Sequence, residues 1–63
     1  MEHFFDCVTF LADGSTVSTI EACASASEAI ARASAWRAIG TKAEAYLKVI
    51  DLDRLEVYHF PLQ

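Results

Sequence analysis

The sequence predicts an α+β fold in the order ββαββ, a four-stranded antiparallel sheet with one helix packed on one face. Three observations predict it. The segment from Ser25 to Gly40 places apolar residues at three- and four-residue spacing, the period of a helix. Both flanks are instead rich in β-branched and aromatic types, which suit a pleated surface. Each flank is broken once by turn residues, Asp13-Gly14 in the first and Asp51-Leu52-Asp53-Arg54 in the second, so each folds back as a hairpin.

The first strand is read over residues 3–11, with Phe5, Cys7, Thr9 and Leu11 on one side and Phe4, Asp6, Val8 and Phe10 on the other. Both sides carry apolar residues. Asp-Gly tolerates the positive φ of a tight turn, and a two-residue turn there pairs Cys7 near Ile20 and Cys23 near Phe4. That register holds the thiols too far apart for a disulfide, so buried free cysteines are expected. The second strand follows over 16–24. Ser25 and Glu28 then form a capping box, the hydroxyl accepting from a backbone N–H and the carboxylate reaching back toward the cap. Ala26, Ala29, Ile30, Ala33 and Trp36 make the stripe that meets the sheet, and Gly40 supplies the left-handed residue that closes the helix.

The third strand, 43–50, sets Ala45, Leu47 and Val49 against Glu44, Tyr46, Lys48 and Ile50. The fourth, 55–60, sets Leu55, Val57 and His59 against Glu56, Tyr58 and Phe60, and Pro61 is expected to end it for want of an N–H. The aliphatic set Leu47, Val49, Leu55 and Val57 is assigned to the side under the helix. A single helix leaves the opposite side open, and Phe4, Phe10, Tyr46, Tyr58 and Phe60 are expected to share it as an aromatic partner-binding or homodimer face.

Sixty-three residues make one domain, 1–63, small enough that association with a second copy would help its stability. The chain is 54% hydrophobic and 22% charged, which excludes disorder. No apolar run approaches a membrane span, and Glu2 and Asp6 stand where a secretory leader needs basic residues, so a cytoplasmic protein is expected. The net charge of −4 argues against direct nucleic-acid binding and fits a basic protein partner. Asp13, Glu21, Asp51, Asp53 and Glu56 are the candidate acidic contacts, lying at turns and on strand surfaces.

Other chemistries find little support. His3, His59, Cys7 and Cys23 lack the spacing of a zinc ribbon or finger, so no metal and no cofactor are expected. No nucleophile and base stand in a local motif and there is no glycine-rich phosphate loop, which points away from an enzyme. Tyr46, Tyr58 and Phe60 raise the alternative of a stacking surface for single-stranded nucleic acid, but the glycine-aromatic motif and βαββαβ order of RNA-recognition domains are missing. A self-associating structural or regulatory module is the other alternative.

The stretch Thr19-Ile20-Glu21-Ala22 followed by Ser25-Ala26-Ser27-Glu28-Ala29-Ile30-Ala31 resembles the strand-to-helix junction of very small phage and mobile-element proteins, and among these the small anti-CRISPR proteins. The likeness covers about half the chain. It implies a mode of action and no catalytic residues: a compact domain that occupies a CRISPR effector surface, with carboxylates set against the Lys and Arg of a nucleic-acid groove. The expected function is that of a phage-type inhibitor.

Overall fold

The computed structural model describes residues 1–12 and 16–62, with backbone alone for 11, 12 and 16–18. The elements follow the predicted order: β1 Glu2–Ala12, β2 Thr16–Cys23, α1 Ala26–Ala38, β3 Lys42–Asp51 and β4 Glu56–Leu62. The strands form one antiparallel sheet in the spatial order β2-β1-β3-β4, so the two hairpins meet through their long strands, β1 and β3. One helix packs on one face.

Local chemistry sets the limits of α1. Ser25 is extended, and its Oγ accepts from the Glu28 N–H at 3.2 Å. The Glu28 carboxylate accepts from the Ala24 N–H at 2.8 Å, one residue before the cap. At the other end Gly40 takes φ +87°, which lets the Gly40 N–H reach the Arg37 carbonyl and the Thr41 N–H reach the Trp36 carbonyl, both at 3.1 Å. This pair of bonds is a Schellman closure, and it turns the chain into β3. Arg32 ties the helix flank to the sheet by donating to Glu28 at 2.9 Å and to Glu21 of β2 at 3.1 Å.

The core is built of small side chains. Ala29 and Ala33 are fully buried against Cys7, Ala43 and Ala45, with Phe5, Cys23, Ile30, Trp36 and Leu62 packed around them. Alanine on both sides lets the helix sit low on the sheet. Thr9, also buried, shares a hydroxyl–hydroxyl hydrogen bond with Thr19 of the neighbouring strand.

Four expectations are corrected by register and turn length. The Asp13-Gly14 turn lies outside the described residues, but Ala12 pairs with Thr16, so three residues separate the strands rather than two. Cys7 therefore faces Glu21, and Cys23 faces Phe5. Directly opposed residues share a face, which puts both free thiols on the helix side, one diagonal step apart. Pro61 does not end β4 but pairs with Tyr46 inside it, as an edge strand tolerates. Leu55 is not in the strand: it stands in the loop at φ +55°. Finally, Val49 pairs with Tyr58 and Leu47 with Phe60, so Tyr58 and Phe60 lie on the helix side, while Val57 and His59 lie on the open side with Tyr46 and Lys48.

Candidate functional site

Two lengths decide which part of the helix side stays bare. Thirteen helical residues span about 20 Å, whereas the ten residues of β3 span about 33 Å. The helix lies over the half of the face that holds Cys7, Ala43 and Ala45. At its margin lies the rung Phe5–Leu47–Phe60, whose Phe5 packs on the core, and beyond it the rung His3–Val49–Tyr58, in which Val49 is buried and Tyr58 is exposed. With Met1, the side chains of His3, Leu47, Val49, Tyr58 and Phe60 line a shallow groove of about 500 Å³. Among the described residues no carboxylate, Lys or Arg side chain lines it. Tyr58 and Phe60 stack with ring centroids 6.3 Å apart and remain 39% and 50% exposed, which is high for aromatics on the helix side of a two-layer fold.

The next rung outward is acidic. Asp51 pairs with Glu56 on this same side, two residues beyond Val49 and Tyr58 respectively. Asp51 Oδ1 accepts from the Asp53 and Arg54 N–H groups at 3.1 and 3.2 Å, which is local turn chemistry. The Tyr58 hydroxyl donates to Glu56, fixing the ring at the edge of the groove. Among the described residues no Lys or Arg pairs with Asp51, Asp53 or Glu56. The loop that follows presents two leucines to solvent, Leu52 at 61% and Leu55 at 87% exposure.

The open side has a different character, because lysines stand beside two of its aromatics, of which Phe4 remains 40% exposed. The Lys48 ammonium lies 5.8 Å from the centroid of the Phe4 ring and 3.9 Å from the buried Asp6 carboxylate. Lys42 stands 5.2 Å from the centroid of Phe10. Lysine stems laid over aromatic rings keep apolar surface from water while the charge stays hydrated. Tyr46 meets His59 edge-on and donates its hydroxyl to Glu44, whose carboxylate holds the phenol above its ordinary pKa.

The expected aromatic set is thus divided between the two sides of the sheet. Phe4, Phe10 and Tyr46 are on the open side, and Tyr58 and Phe60 flank the groove. The acidic set is divided too. Asp51, Asp53 and Glu56 gather at the β3–β4 end, Glu21 is engaged by Arg32 on the opposite edge strand, and Asp13 lies outside the described residues. The sequence reading missed Leu52, Leu55, Met1 and His3, although two leucines spaced among the charges of Asp51-Leu52-Asp53-Arg54-Leu55-Glu56 were the available signal. No group of three or more His, Cys, Asp or Glu among the described residues could hold a metal ion. In comparisons with known proteins, no family model, curated protein or solved structure matches the chain.

Proposed function

We propose that this chain is a non-enzymatic protein-interaction module whose binding end is the β3–β4 hairpin, and that it acts as a phage-type inhibitor of the anti-CRISPR kind. It blocks a basic, nucleic-acid-binding surface on a protein such as a CRISPR effector. One observation carries the reading: an uncovered apolar groove adjoins an acidic rung and a loop with two exposed leucines, all at one end of the molecule. Apolar anchors ringed by charge are the anatomy of a protein interface. The carboxylates there are free to meet Lys and Arg that otherwise hold phosphates.

The test is DNA cleavage by reconstituted CRISPR effector complexes with the purified protein added. Inhibition is expected, and it should be lost in the Asp51→Lys, Asp53→Lys double variant. Absence of binding and inhibition across the effector classes would overturn the inhibitor reading. A second reading, self-association through the open side, is favoured by the exposure of Ile20, Phe4 and Val57 there. Light scattering at high concentration checks it, because a strict monomer is incompatible with a homodimer.

A further inference from the structure

We infer that the groove beside α1 receives one amphipathic helix of a basic partner protein, laid next to α1 with its Lys or Arg residues against Asp51 and Glu56. The inference rests on the interaction-module reading and adds the form of the partner. Width is the first support. The groove floor crosses β1, β3 and β4, and two strand spacings of about 4.8 Å each give about 10 Å, the width of one helix. The helix layer is already present on this side, so a second helix continues it without a new layer.

Charge is the second support. Asp51 and Glu56 are directly opposed like charges, an arrangement that costs stability until a cation lies between them. Among the described residues no Lys, Arg or N-terminal ammonium forms an ion pair with either carboxylate. A basic residue from outside completes the rung, as buried apolar contacts complete the groove. A strand in place of a helix is disfavoured, because Pro61 removes a backbone donor from β4 and blunts that edge. A second copy brings another net charge of −4 toward this acidic end.

The experiment uses the full chain against a displayed library of helix-forming peptides. Selected binders should combine apolar residues at three- and four-residue spacing with Lys or Arg toward one end, and their affinity should fall as salt rises. Phe60→Asp should weaken them by about tenfold or more, as expected for an aromatic anchor. Val57→Asp, on the open side of the same strand, should leave them unchanged and reports that β4 is still folded. Methyl NMR signals of Leu47 and Val49 should shift on binding. Binders without basic residues, insensitivity to Phe60→Asp, or shifts confined to Val8 and Ile50 on the open side would each overturn the inference. So would self-association abolished by Phe60→Asp, since the groove would then hold a second copy. If no peptide binds while effector inhibition still depends on Asp51 and Asp53, the helix geometry fails and the interaction module stands.

Discussion

Leu55→Gly is expected to make the fold more stable while weakening partner binding. Leu55 adopts φ +55°, a left-handed conformation that costs an L-residue about 1–2 kcal/mol through the clash of its Cβ with the backbone. Glycine removes that clash but has more freedom to lose on folding, worth about 0.5–1 kcal/mol in the other direction. Little packing is lost, because the side chain is 87% exposed. The net gain is about 0.5–1 kcal/mol, and for a domain of this size that raises the melting temperature by about 4–8 °C. Urea unfolding followed by circular dichroism measures it. Leu55→Ala is the control, since it keeps a Cβ at the same φ and should gain nothing. Gly40→Ala is the mirror experiment: Gly40 has φ +87° and an added Cβ meets nothing within 4 Å, so a loss of about 1 kcal/mol isolates the backbone effect. Lower stability in Leu55→Gly would refute the reasoning, for it would mean that the leucine packs in the free protein. Higher stability with unchanged binding would separate the strain from function.

Three further outcomes are expected. Ala33→Leu should cost about 1–3 kcal/mol by overpacking, because Ala33 is fully buried in a cluster with Cys7, Ala43 and Ala45; an unchanged urea midpoint would show that the helix can lift off the sheet freely. In an alkaline titration followed by tyrosine absorbance, Tyr46 should ionise above the ordinary phenol value of 10.0, and Glu44→Gln should bring it down. Its pKa is raised in the fold, so the stability linked to this contact is complete below the unfolded value and is lost as pH rises through the folded one. A maleimide should label Cys23 before Cys7 in the native protein, since Cys7 is buried and its thiol pKa is pushed up first by burial and then by Cys23 and Glu21. Equal rates would show that β2 opens readily.

The parts of the fold that depend on neighbours in sequence were legible. Ser25, Glu28 and Gly40 mark the helix by chemistry that acts within a few residues, and alternation within β3 and within β4 was read correctly strand by strand. What the sequence did not reveal is which set of one strand shares a side with which set of the next. That depends on loop length, and here four residues separate Asp51 from Glu56, with Leu55 counted in the loop. Grouping aliphatics with aliphatics put Val57 beside Val49, whereas the ladder puts Tyr58 there. An added residue in the first turn moved the Cys7 and Cys23 partners in the same way. The candidate site inherited these errors, because a face is a property of register. Asp51, Asp53 and Glu56 need no register to be neighbours, and they lie together at the β3–β4 end.

The alanine stripe links the fold to the bare groove. Ala29 and Ala33 seated on Ala43 and Ala45 hold α1 close to β1 and β3, and the closure at Gly40 returns the chain directly into β3. A helix held that low and that short covers one half of the face. Larger residues at those positions would raise α1 off β1 and β3 and thicken the core. Small core residues normally weaken a 63-residue domain, since burial supplies most of its stability. Their concentration beneath the helix leaves Tyr58 and Phe60 outside the core, 39% and 50% exposed on the same face as α1.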